Sequence, residues 1–565
     1  MRESFEIKFH SSKSLYSSWP TAFLLSYIGR FSFSGLVVAG LLFAASLTPS
    51  LLPRPFAVQG ALSGVALAAG YGIGTFLQWL WHFMEIPAPP ARGSRIIKLI
   101  SAFAMLILLL FVLSHVVMWQ NSIRHIMSMN TVGYTYPFLV VLVAFPVGFL
   151  TIEFFRLLGR AIALLSRQLK KFIPAKMSAL IGFCSFSYLL FVVANGTLGP
   201  WVLHKIDRLQ YQLDQIVEDG IKPPDDPLMT GSPSSLISWY EAGRQGRRFM
   251  VSGPSRQDIQ SFSGVDAKRP IRVYAGLRAG ESERDRAEVA LQELKRVGAF
   301  ERSVLVVAVP TGTGMIDRAA VDSLEYLHNG DTAIVGVQYS YLSSYVSIFA
   351  EPQYSQNTAR ALFDAVYGYW RELPKDTRPT LYLFGLSLGS SGSEASMDLH
   401  VILYDLIDGA VWSGPPFTNR IWQDVTQNRN DGSPEWLPRY RDGSMIRFTA
   451  QKNNLKKSYA PWGPVRIVYI QYASDPITFF STSMFYTRPD WMKQPRGPDV
   501  SPYLRWYPIV TGLQVAFDMI SSGSTPMGYG HIYSPSSYID AWVEVTQPTE
   551  WNEQKLEKLK EHIKY

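Results

Sequence analysis

The chain has 565 residues, 47% of them hydrophobic and 17% charged, with a formal net charge of +8 and a single cysteine. That length exceeds one ordinary core and calls for at least two domains. The charge is unevenly placed. Residues 1–203 hold 15 Lys and Arg against four acids, and the remainder holds 38 against 41, so the second part has no general basic surface and nucleic acid is excluded as a leading partner. With Cys184 alone, neither a disulfide framework nor a thiolate metal site can form within the chain, and its place in an apolar run reads as a small buried hydrophobe.

Residues 1–203 are expected to form a multi-span membrane domain of about five helices. The apolar stretches Phe31 to Pro53, Gly60 to Phe83, Leu99 to Trp119, Tyr136 to Phe155 and Met177 to Val202 each approach the roughly 20 residues needed to cross a hydrocarbon core. The first begins some thirty residues in and is followed by further spans, so it reads as an anchor and not a cleaved signal. Thirteen basic residues fall in the N-terminal tail, after span two (Arg92, Arg95, Lys98) and after span four (Arg156 to Lys176), against Arg54 and Arg124 in the alternate loops. By the positive-inside rule this puts the N-terminus in the cytoplasm and, with five spans, the C-terminal domain outside it. Gly60 with Gly64, and Gly70 with Gly74, have the four-residue spacing that lets helices approach closely, here expected within the chain. Glu153 beside Arg156 reads as a local pair at the membrane boundary.

Residues 204–264 form a linker, with Pro223, Pro224, Pro227 and the turn Gly231-Ser232-Pro233. From 265 to 565 short β-rich runs alternate with helical patterns. The runs are Ile271 to Leu277, Val304 to Val309, Ala333 to Tyr339, Leu381 to Phe384, Gly409 to Ser413 and Val465 to Tyr472. Between them, Arg284 to Val297 and Thr358 to Leu373 carry apolar residues at helical spacing, which implies parallel crossovers and a doubly wound, mostly parallel α/β sheet. The inserts 415–464 and 476–507 show no period and are rich in Trp, Tyr and Pro, as expected of substrate-binding loops.

The apolar strand ending at Phe384 runs directly into Gly385-Leu386-Ser387-Leu388-Gly389 and a small-residue helix start. Glycines two residues to either side of a serine permit a sharp strand-to-helix turn that exposes the serine oxygen, so Ser387 is the candidate nucleophile. A serine hydroxyl needs a base, and the base needs a carboxylate to fix its tautomer. Of the histidines after Ser387, His400 lies down the nucleophile helix and His562 lies three residues from the C-terminus. His531, in the glycine-rich loop Gly528-Tyr529-Gly530-His531, is the expected base. Asp475 follows the strand Val465 to Tyr472 and is the expected acid, ahead of Asp518 and Asp408. Oxyanion donors are expected from the Leu388 amide and from the loop Pro310 to Met315, with Thr311 and Gly312 as its candidates. No Gly-Lys-Ser/Thr follows that loop, which argues against a phosphate cradle. No metal or cofactor is expected.

Taken together, SLTPSLLPRP (Ser46 to Pro55), PTGTG, QYSYL (Gln338 to Leu342), GLSLGSSGSE and GYGH resemble the bacterial α/β-hydrolase family with an N-terminal multi-span membrane domain, over nearly the whole chain. Leu386 stands where that family pattern favours Glu. The resemblance implies the Ser387–His531–Asp475 triad, an α/β-hydrolase domain and a location in the bacterial inner membrane. The expected function is hydrolysis of a lipid or envelope acyl ester. Transfer of the acyl group to a sugar or lipid hydroxyl is the near alternative, and an idle scaffold the distant one.

Overall fold

The computed structural model describes residues 31–87, 89–169, 174–193, 195–196, 199–344, 346–347, 352–397, 405–456 and 460–564. The N-terminal half is built from helices α1 (Phe33–Ser46), α2 (Phe56–Phe83), α3 (Ala91–Ile126), α4 (Tyr136–Leu169) and α5 (Ala175–Val193). Among the described residues, three helices are long and apolar enough to cross a membrane: α2, α3 and Tyr136–Leu164 of α4. The apolar helices Phe33–Ser46 and Leu180–Val193 are shorter. The expected first span, Phe31 to Pro53, stops at Ser46 because Pro49, Pro53 and Pro55 follow, and a residue preceding proline is pushed out of the helical region. At 1.5 Å per residue, the 14 residues of α1 extend about 21 Å. The expected fifth span also divides, since α5 ends at Val193 and a separate helix begins at Gly199.

The glycines of α2 set its packing. A Cβ on Gly60 would lie 2.5 Å from Val143 Cβ and one on Gly64 2.7 Å from Ala144 O, both on α4. A Cβ on Gly70 would lie 2.6 Å from Val38 O and one on Gly74 2.5 Å from Ser34 O, both on α1. The small-residue spacing therefore brings helices together within the chain, on two faces of α2. Glu153 pairs with Arg156 at 2.6 Å, as a neighbouring pair one helical turn apart. Cys184 is exposed on α5, contrary to the expected burial, because an apolar helix turns apolar side chains outward as well as inward.

In the C-terminal half, β1 (Ile271–Ala275), β2 (Val304–Val309), β3 (Thr332–Val337), β4 (Thr380–Leu386), β5 (Gly409–Ser413), β6 (Ile446–Thr449) and β7 (Arg466–Ile470) form one seven-stranded sheet in the order β1-β3-β2-β4-β5-β7-β6. Every neighbouring pair is parallel. The continuous apolar runs of β2 and β3 are buried at every residue, as a sheet covered on both faces requires. β6 was not expected, since it lies inside the stretch 415–464 that carries no sequence period. Its four residues include Arg447, whose guanidinium is hidden against the carbonyls of Gly443, Leu455 and Ala460 and over the Trp462 ring. The same stretch also contains the helix Arg420–Gln427, whereas 476–507 holds only short helical turns.

The two halves meet through the proline-rich segment that follows α1. The Asp518 carboxylate, on the helix Val510–Ser521, accepts from the Ser50 hydroxyl, from the Leu51 amide at 3.1 Å and from Arg54 Nε at 2.7 Å. Arg54 also donates to Gln59 Oε1 at 2.7 Å, and Gln514 Nε2 donates to the Thr48 carbonyl at 2.9 Å. Both members of the Arg54–Asp518 pair are fully buried. Removing one partner leaves the other charge buried and uncompensated, so Asp518→Asn is expected to lower stability by about 3–5 kcal/mol. A melting temperature for the full-length variant within a degree of the unmodified chain would contradict this.

Candidate active site

β4 is the central strand, and its C-terminal end carries Ser387 into the helix Leu388–Ser396. Ser387 has φ 56° and ψ −130°, a strained backbone for a residue with a side chain, of the kind that persists only where the surroundings impose it. Here they do. A Cβ on Gly385 would collide with the Gly389 carbonyl, and one on Gly389 with the Val309 carbonyl, so the turn can close only with glycine at both places. The Ser387 amide donates to the Ser413 carbonyl at 2.9 Å, tying the turn to the end of β5. The Ser387 side chain does not cap its own helix, and it lines a cavity of about 740 Å³.

Asp475 stands just beyond β7 as the N-cap of the helical turn Pro476–Phe479, and it is fully buried. Its Oδ1 accepts from the Ile477 amide at 2.9 Å, while Oδ2 accepts from His531 Nδ1 at 2.7 Å and from the Tyr533 hydroxyl at 2.7 Å. A carboxylate only accepts, so Nδ1 carries the proton and Nε2 holds a free lone pair. His531 Nε2 is buried without a hydrogen-bond partner among the described residues, and His531 lines the same cavity as Ser387. Burial, with the neighbouring Asp475 charge, pushes the Tyr533 phenol well above its usual pKa, which keeps it a donor to that carboxylate.

The loop bearing His531 has no strand before it, only the isolated bridge between Tyr529 and Ile532, so other contacts fix it. The buried Asp499 carboxylate accepts from the Ser474 amide and hydroxyl at 2.9 and 2.6 Å, and the Ser474 hydroxyl in turn accepts from the Gly530 amide at 2.9 Å. On the other side, Leu52 of the interdomain segment lies 3.1 Å from where a Cβ on Gly530 would sit. Gly414, at φ 53° just after β5, leaves room for the imidazole: a Cβ there would lie 2.6 Å from His531 Cε1 and 2.9 Å from Nδ1. Gly414→Ala is expected to displace the ring from Asp475 and lower ester turnover at least about a hundredfold, since misplacement by about 1 Å costs that much. Turnover within a factor of two of the unmodified chain, measured with a soluble ester, would refute that geometry.

The expected oxyanion donors are arranged differently from one another. Leu388 is the first residue of its helix, where amides lack an intrahelical acceptor. The Thr311 amide instead donates to the Met315 carbonyl at 2.9 Å, and the Gly312 amide to Ser344 Oγ at 3.0 Å. The Thr311 amide is closed off by a bond inside the loop, and the Gly312 amide, held by Ser344 outside it, becomes available only if the Ser344 hydroxyl turns away.

The other candidates lie elsewhere. Asp408 accepts from the Leu381 amide at 2.8 Å at the opposite end of the sheet, and Asp518 belongs to the interdomain pair. His562 contacts the Tyr326 hydroxyl at 3.2 Å, and His400 lies outside the described residues. Tyr533, Asp499, Ser474 and Gly414 were not anticipated, because their roles depend on neighbours 25 or more residues away. Asp317 was also missed. It lines the cavity, accepts from the Tyr538 hydroxyl at 2.8 Å, and burial pushes its pKa up to about 6. No group of three or more His, Cys, Asp or Glu among the described residues could hold a metal ion.

A family model described as the alpha/beta-hydrolase family matches residues 271–559, which include the whole sheet and all three of Ser387, Asp475 and His531. A second model, for the N-terminus of an alpha/beta-hydrolase family, matches residues 47–254. No curated protein and no solved structure matches the chain. The family matches and the parallel sheet agree: the chain belongs to the alpha/beta-hydrolase family.

Proposed function

We propose that the chain is a membrane-anchored serine hydrolase that cleaves an ester of a lipid or envelope-associated acyl compound. The observation that carries the reading is the disposition of His531, with Nδ1 held by Asp475 and Nε2 unpartnered beside the cavity that Ser387 lines. In this mechanism Ser387 Oγ attacks the ester carbonyl carbon as His531 Nε2 takes its proton. The oxygen of the tetrahedral intermediate accepts from the Leu388 amide. His531 then returns the proton to the departing alcohol, and water attacks the acyl-enzyme by the same route in reverse. Asp475 stabilises the imidazolium formed in each step. The cavity suits an acyl group, since Leu386, Phe249, Met315, Ile477, Met527 and Ile532 contribute much of its wall.

The anchor is assigned to the bacterial inner membrane, with the hydrolase domain outside the cytoplasm. Two contacts support that side without depending on how many helices cross. Arg54, before α2, binds Asp518, and Ser122, near the end of α3, contacts Ser501 at 2.7 Å. Both lie at helix ends opposite those bearing Arg92, Arg95 and Lys98 or Arg156 and Arg160. A reporter active only in the cytoplasm, fused at Tyr565, is expected to be silent, and a strong signal would reverse the topology. Product analysis with the purified full-length chain, with and without an acceptor alcohol, tests the reaction. Free acid is expected in both cases. A new ester formed in preference to acid would replace hydrolysis by acyl transfer, and no Ser387-dependent product from any acyl ester would remove the enzymatic reading.

A further inference from the structure

The loop between Phe485 and Tyr507 carries an arginine cluster that the proposed reaction does not use. Arg496 Nη1 donates to the Pro502 carbonyl at 3.0 Å and to the Ser501 carbonyl at 3.3 Å. Arg505 Nη1 donates to the same Pro502 carbonyl at 3.3 Å and to that of Leu504 at 3.1 Å. Two guanidinium groups thus converge on one oxygen, and no carboxylate among the described residues pairs with Arg488, Arg496 or Arg505. Arg496 Nε is buried and lacks a hydrogen-bond partner among the described residues. Burial first, and then the neighbouring Arg505 and Arg488 charges, hold the Arg496 pKa below its usual range.

The cluster sits at a definite depth relative to the membrane helices. Ser501 Oγ meets Ser122 Oγ at 2.7 Å, and Ser122 lies three residues past Trp119 on α3. Three residues advance a helix by about 4.5 Å. Trp119 ends the apolar run that began at Leu99, and tryptophan is enriched at the level of the lipid headgroups. Ser501 therefore stands at headgroup depth, and the guanidinium group on its carbonyl does too. Tyr503, 43% exposed between the arginine-bound carbonyls of Pro502 and Leu504, is an amphipathic ring suited to the same layer.

We propose that Arg496 and Arg505 bind the phosphate of an anionic phospholipid headgroup in the leaflet on the hydrolase side. A phosphodiester presents two non-bridging oxygens to the planar guanidinium fork. A headgroup with uncompensated charge is preferred because the cluster has no carboxylate of its own. Such a contact would set the height of the hydrolase domain over the bilayer. It does not depend on the reaction that the cavity performs.

The test is native mass spectrometry of the full-length chain in a neutral detergent, titrated with phosphatidylglycerol, with phosphatidylcholine of the same acyl chains, and with glycerol 3-phosphate. Phosphatidylglycerol is expected to bind at least about tenfold more tightly than phosphatidylcholine, and more weakly as salt is raised. Arg505→Gln, at an exposed residue, is expected to lower that affinity severalfold, and Arg496→Gln with Arg505→Gln at least tenfold. Lysine at both positions should recover part of the loss. Each variant is first checked for an unchanged melting temperature, and if the double variant fails to fold, Arg505→Gln decides. Equal affinity for the two lipids, or unchanged affinity in Arg505→Gln, would overturn the site. Glycerol 3-phosphate binding as tightly as the lipid would overturn the membrane assignment in favour of a soluble phosphate.

Discussion

Ser387→Ala is expected to lower ester turnover by about 10⁶ while the chain still inserts and folds. The size of the effect follows from Ser387 being the only group in the proposed mechanism that forms a covalent bond to the substrate. The helix that it opens does not use its hydroxyl as a cap, so removing the oxygen leaves no orphaned amide. The strained φ of 56° belongs to the tight turn that Gly385 and Gly389 allow by leaving no Cβ to collide, and alanine at 387 keeps it. Glycine at 387 would relieve the strain, so Ser387→Gly is expected to be inactive yet more stable than Ser387→Ala by about 1 kcal/mol. Turnover by the alanine variant near that of the unmodified chain, with a purified short-chain ester, would remove Ser387 from the chemistry.

Asp475→Asn is expected to cost up to about 10⁴ in turnover. The amide nearly matches the carboxylate in size, so the fold should survive. An asparagine that turned its NH₂ toward His531 would force Nδ1 to accept, and the proton would then reside on Nε2, where it opposes Ser387. Asparagine also replaces the acceptor that now takes hydrogen bonds from His531 Nδ1, Tyr533 and the Ile477 amide. The controls behave differently for stated reasons. Asp408→Asn acts at the far end of the sheet, where the carboxylate accepts from the Leu381 amide, and should retain turnover. Asp518→Asn should act through stability, by freeing Arg54, and its turnover is to be compared per folded molecule. A large loss at Asp408 with little at Asp475 would transfer the acid role and break the strand assignment.

Much of this arrangement could be read from the residues because the features concerned are local. The runs at β2, β3 and β4 are continuous and apolar, and the glycine-flanked serine follows β4 without a gap. The Asp475 reading used only its place after β7. What escaped was set by contacts distant in sequence. β6 is a four-residue strand at the edge of the sheet with a buried arginine inside it, which disguised it as polar loop. The segment Leu47 to Pro55 looked like the end of a membrane span because its leucines are apolar. Leu51 and Leu52 are in fact buried with the hydrolase core, and the prolines that end α1 shape the segment for that contact. The loop Pro310 to Met315 has the glycines expected of an oxyanion loop, yet hydrogen bonds to Met315 and Ser344 occupy the amides of Thr311 and Gly312. The support beneath His531, from Asp499 through Ser474 to Gly530, joins three segments that no local pattern could associate.

The most direct measurement is covalent labelling. The full-length chain is treated with a fluorophosphonate, digested, and the modified residue located by mass spectrometry. A single adduct on Ser387 is expected, slowed by orders of magnitude in His531→Ala and absent after Ser387→Ala. No adduct at Ser387 under conditions that label a known serine hydrolase, or labelling at the same rate without His531, would contradict the assignment of Ser387 as a nucleophile activated by His531.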